Sequence, residues 1–122
     1  MGLRPPYFMA KTVAEIKQRA LQKLGKLAFG ATAESALDDD IQNAYDQVYD
    51  RLEGDGLVAW SKTGSVPDKF VQQVVAIVAF ERSDSLPADK YNRLAMEASM
   101  APTKIAKHLK GPWVNPLKPE NF

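Results

Sequence analysis

"VPDKFVQQVVAIVAF", residues 66–80, decides the fold. Pro67 suits the first helical position, where its missing N–H costs nothing, and Asp68 suits the first turn. Phe70, Val71, Val74, Val75, Ile77, Val78 and Phe80 follow, and they cover more than one helical face. A helix apolar nearly all round belongs at the centre of a bundle, where neighbours bury every side. The same stretch is too short and too interrupted by polar residues to span a bilayer. The expectation is therefore a buried central helix with amphipathic helices around it.

The stretches on either side supply those helices. Upstream, Thr12 and Glu15 have capping-box spacing. Val13, Ile16, Ala20, Leu24 and Leu27 then recur on one face, with Gly25 placed to close the helix in a left-handed conformation. A second helix starts within "LDDDIQNAYDQVYDRLEGDG". Asp38, Asp39 and Asp40 read as an N-cap followed by first-turn acids rather than a metal cluster, because a Ca²⁺ loop needs spaced ligands and a central glycine. Ile41, Ala44, Tyr45, Val48, Tyr49 and Leu52 form its apolar stripe, and Gly54 and Gly56 end it. "LVAW", 57–60, reads as a short strand or the opening of a hairpin, with Trp60 a core anchor.

Downstream, a fourth helix opens at Pro87, with Tyr91, Leu94, Ala95 and Ala98 on one face. Pro102 is expected to kink or end it, so that "TKIAKHLK" either continues it or resumes as a short fifth helix. The fold expected is all-α: a bundle of four to five helices over 12–110. An extended N-terminal arm covers 1–11 and a proline-stiffened C-terminal tail covers 111–122. Pro5 and Pro6 exclude a helix from the arm, and Tyr7, Phe8 and Met9 give it apolar side chains to bury. Three prolines and one glycine argue against regular structure in "GPWVNPLKPENF", yet Trp113, Val114, Leu117 and Phe122 suit docking. Arm and tail each either pack on their own domain or dock on a neighbour.

The 122 residues fit one domain with a modest core, and 45% apolar with 25% charged residues is ordinary for a globular chain. Zero cysteines exclude disulfides and thiolate metal sites, which favours a cytoplasmic origin. The first residues lack the apolar segment of a secretory signal. Net charge is +1, but its distribution is uneven. Residues 1–37 carry six Lys/Arg against two Asp/Glu, and residues 38–56 carry one against seven. Residues 102–122 carry four against one. An acidic centre between basic ends suits electrostatic contact between copies.

Catalytic signatures are sparse. "LGKLAFG" lacks the glycine spacing and Gly-Lys-Ser/Thr of a phosphate-binding loop. His108 is the one histidine, so a histidine-pair metal site is excluded, and no nucleophile elbow accompanies it. No cofactor is expected. The basic face Lys104, Lys107, Lys110 has no interleaved aromatics, and a pI near 7.9 is below the usual nucleic-acid footprint.

The order of motifs is more specific than any one of them. "ALQKLG" (20–25), "DRLEGDGLVAW" (50–60) and "VPDKFVQQVVAIVAF" (66–80) occur in a spacing that resembles the head-to-tail adaptor family of tailed phages, also called tail accessory factors or head-completion proteins. The likeness spans residues 11–100 and is greatest to the adaptors of short-tailed phages. It implies a non-enzymatic virion protein, made in the host cytoplasm and placed at the head–tail junction. Copies would form a ring beneath the portal protein, twelve to match its symmetry, that extends the DNA channel, helps retain packaged DNA non-specifically and seats a tail or nozzle protein.

On that reading Tyr7, Phe8, Pro112, Trp113, Val114, Pro116, Leu117 and Phe122 bind portal or neighbouring subunits. Lys104, Lys107 and Lys110 face DNA or acidic channel walls. The basic first helix of one copy faces the acidic second helix of the next. No membrane is involved. The alternatives are a small wall-degrading hydrolase using carboxylates such as Glu15, Glu53 or Glu97, and a helical DNA-binding regulator with salt-dependent affinity for duplex.

Overall fold

The computed structural model describes residues 10–28 and 30–110, with Lys110 described in its backbone only. In chain order the elements are β1 (Ala10–Lys11), α1 (Val13–Lys23), α2 (Ser35–Gly54), β2 (Val66–Pro67), α3 (Asp68–Phe80) and α4 (Ala88–Lys110). The molecule is a small helical bundle with a two-stranded antiparallel sheet, Ala10 opposite Pro67 and Lys11 opposite Val66. The arm's last two residues therefore belong to the folded unit.

α3 sits at the centre, as its sequence requires. Phe70, Val71 and Val74 through Ala79 are all buried, and α1, α2, α4 and the sheet pack around them. Pro67 caps α3 rather than entering it, because its extended backbone (ψ 143°) also ends β2.

α1 starts with the expected capping box. Thr12 Oγ1 accepts from the Glu15 N–H at 3.2 Å, and Glu15 Oε1 accepts from the Thr12 N–H at 3.2 Å. It buries Ile16, Ala20 and Leu21, with Leu24 just beyond, while Val13 and Leu27 are only partly covered. Its end is a Schellman motif: the Lys26 N–H bonds the Leu21 carbonyl (2.9 Å) and the Gly25 N–H bonds that of Gln22 (3.0 Å). Gly25 has φ +75°, a conformation a side chain would strain. α2 closes in the same way, through Leu57 to Leu52 (2.8 Å) and Gly56 to Glu53 (3.0 Å).

α2 buries the six stripe residues expected of it. Its start differs. The helix begins at Ser35 with Glu34 as a cap that makes no side-chain bond, because Leu37 is drawn onto the core and carries the helix back one turn. Asp38 and Asp40 lie inside the helix and pair with Lys17 (3.1 Å) and Arg82 (3.0 Å).

The segment 57–60 is a loop, not a strand. Its Trp60 carbonyl accepts from Tyr49 Oη at 2.7 Å, so a side chain takes the place a ladder partner would fill. Trp60 is buried as expected, packed against Phe70 at a centroid distance of 5.2 Å.

α4 runs unbroken through Pro102, so no fifth helix is present among the described residues. Leu94, Ala98, Ala101 and Ile105 form one buried stripe that holds the helix to α3 on both sides of the proline. Tyr91 is displaced from that stripe: it is 38% exposed and lies against Phe80 at 5.5 Å. No helix in the described residues is long and apolar enough to cross a membrane.

Candidate functional site

Three helices cannot cover one another completely when one of them is short. α4 packs chiefly on α3, and α1 ends at Lys23. Between α1 and α4 the surface of α3 stays open as a groove of about 470 Å³. Val71, Val75 and Ala76 of α3 and Ala101 of α4 line its apolar floor. Met96 and Met100, four residues apart on α4, form one wall and are 66% and 48% exposed. Arg19, Gln22 and Lys23 of α1 form the other.

The groove is apolar below and cationic at the rim. Lys23 Nζ meets Glu97 Oε1 at 2.9 Å and bridges the two walls. Arg19 and Lys104 line the same groove, and among the described residues neither has a carboxylate at ion-pair distance. Gln73 also lines it, and among the described residues no donor reaches its buried Oε1. A buried acceptor left unmatched costs about 1–3 kcal/mol. Flexible methionines exposed in a row adapt to an incoming apolar surface. These features suit binding of a segment that brings both apolar area and an N–H.

The expected site residues fall into four groups. Tyr7, Phe8, Pro112, Trp113, Val114, Pro116, Leu117 and Phe122 lie outside the described residues, as does the Lys110 side chain. Lys104 and Lys107 are exposed on α4, and Lys104 stands on the groove rim. The acidic stretch spends part of its charge at home: Asp38, Asp40 and Asp50 pair with Lys17, Arg82 and Lys62 of the same chain. The contact between basic α1 and acidic α2 is thus partly made within one molecule. Of the hydrolase carboxylates, Glu15 is held in the α1 cap and Glu97 by Lys23.

Met96, Met100, Gln73 and Arg19 were not expected as site residues. Met96 and Met100 carry the available signal: two large apolar residues at helical spacing on the polar side of α4. His108 is exposed on the last turns of α4, its ring edge-on to Phe70 at 6.2 Å. No protein-family model, curated protein or solved structure matches this chain.

Proposed function

We propose that this chain is a head-to-tail adaptor of a tailed phage, a structural virion protein that acts by assembly rather than turnover. The observation that carries the reading is the uncovered groove on an otherwise well-packed bundle. A protein whose work is contact keeps an apolar face open, whereas a fully covered bundle has no reason to. The order of the motifs along residues 11–100 supports it, as do chain ends rich in proline and aromatic residues. Copies join the portal protein as a ring, extend its DNA channel and seat a tail or nozzle protein. Lys104 and Lys107 serve as non-specific contacts to DNA or to acidic channel walls. Ends that engage only a portal confine ring formation to the place where a portal already stands, since the cost of ordering them is met there.

Light scattering tests this directly. The chain alone should weigh as a monomer, and mixing with a cognate portal ring should add about a dozen copies, the number a matching cyclic symmetry requires. Absence of association would overturn the proposal. Lysis of peptidoglycan in a zymogram, or salt-dependent affinity for free duplex, would then favour the hydrolase or the DNA-binding regulator.

A further inference from the structure

The chain itself presents a surface that supplies what the groove lacks. α2 begins at Ser35, and its cap residue Glu34 makes no side-chain bond, so the N–H groups of the first turn keep their capacity to donate. Ser35 and Ala36 are small and exposed there. Glu34 and Asp39, also exposed, flank them, and among the described residues neither has a cation at ion-pair distance. Asp38 and Asp40 are already held by Lys17 and Arg82. The start of α2 therefore combines unspent negative charge, a small apolar side chain and N–H donors. The groove combines the unspent cations Arg19 and Lys104, an apolar floor and the Gln73 Oε1 that no described donor reaches.

One molecule cannot bring these two surfaces together. Lys17, which bonds the start of α2, and Arg19, which lines the groove, are neighbours but one on α1. Such a step turns a helix by about 200°, so the two surfaces stand on opposite sides of α1. A contact between them joins two copies through different patches. Contacts of that heterologous kind repeat from copy to copy and close as a ring when the rotation allows. We propose that residues 34–39 of one copy seat in the α1–α3–α4 groove of the next, with Ala36 over Met96 and Met100 and the carboxylates of Glu34 and Asp39 on Arg19 and Lys104. The inference rests on the adaptor reading for its choice of a second copy as the occupant, and it names the contact that a ring needs. One short segment in one groove is smaller than a stable interface, so free copies meet briefly and separate. In a ring each copy is held from both sides, and the weak contacts add.

Paramagnetic broadening between chains tests this. The chain has no cysteine, so Ala36→Cys in an unlabelled chain takes one nitroxide cleanly. That chain is mixed with ¹⁵N-labelled wild type, whose signals it reaches only through contact between copies. The backbone amides of Met96 and Met100 and the side-chain amide of Gln73 should lose several-fold more intensity than Gln47 on the outer face of α2, and the loss should fade in high salt. A nitroxide at Ala59→Cys, in the exposed part of the 57–60 loop, should broaden them less. Arg19→Glu with Lys104→Glu in the labelled chain should restore the signals. Glu34→Lys with Asp39→Lys in the nitroxide-bearing chain should then bring the loss back. All are surface changes, and circular dichroism checks that each variant is folded. Absent or uniform broadening overturns the proposal, as does an equal loss from Ala59→Cys or a loss that survives the first charge reversal. Any of these beside a portal ring that still recruits the chain strikes this contact and leaves the adaptor reading standing.

Discussion

Trp60 shows how one side chain ties a loop to a core. Its carbonyl accepts from Tyr49 Oη, and its Nε1 donates to Tyr45 Oη at 3.3 Å. Burial raises the Tyr45 phenol above its ordinary value of 10.0, with the Trp60 hydrogen bond acting the other way. The folded state thus favours the neutral phenol. Above about pH 10 an unfolded chain ionises this tyrosine while the folded chain keeps its proton, so stability falls as pH rises past that point. Urea unfolding between about pH 9 and 11 should show a shallower decline in Tyr45→Phe than in the wild type. Lys62, raised by its bond to exposed Asp50, adds to the decline in both proteins and cancels in the comparison. Equal slopes would mean that Tyr45 does not titrate differently in the folded state. That Trp60 would be core was legible from its place beside two helical stripes. Its hydrogen bonds were not, because they depend on how a four-residue loop crosses Tyr45 and Tyr49.

Helix ends chosen by local chemistry were legible, and those chosen by packing were not. Thr12 with Glu15 closes α1 at its start, and Gly25 ends it, because those residues satisfy backbone groups within their own turn. α2 begins a turn early because Leu37 gains burial, a distant cause. Pro102 is the sharpest case. A helix-interior proline removes the bond to the carbonyl four residues back, here Ala98, and crowds it, at about 3 kcal/mol. The stripe of Leu94, Ala98, Ala101 and Ile105 on α3 outweighs that cost, since burying such side chains yields about 1.5–3 kcal/mol for each large one. Pro102→Ala should therefore stabilise the protein by about 1–3 kcal/mol, read as a higher urea midpoint at unchanged slope. A lower midpoint would show that the proline ring itself is needed where it packs. The groove was illegible for a similar reason: it is a gap between α1 and α4, set by the length of α1 and the tilt of three helices, and no residue encodes a gap.

At the scale of the molecule, the buried core among the described residues runs from Ile16 to Ile105. Removing residues 111–122 leaves all of these residues in place. The truncated chain should keep its helical circular dichroism and a cooperative melt while losing association with a portal ring. Undiminished association would take the portal contact away from the tail. The six ion pairs among the described residues are all at least partly exposed and span different elements. Pairs of this kind contribute about 0–1 kcal/mol each, so they orient helices more than they hold them.

The small sheet has a mechanical consequence. Ala10 is paired to Pro67, α3 begins one residue later, and Phe70 on its first turn lies against His108. The chain therefore enters and leaves the bundle at one pole, with the turn at 81–87 at the other. Tension applied through both ends pulls on neighbouring anchors rather than across the core. The two-residue ladder and the last turns of α4 would peel first, one bond at a time, while α3 and its packing stay unstrained. A tether fixed at either end would hold the bundle by the same pole and leave the opposite one facing outward.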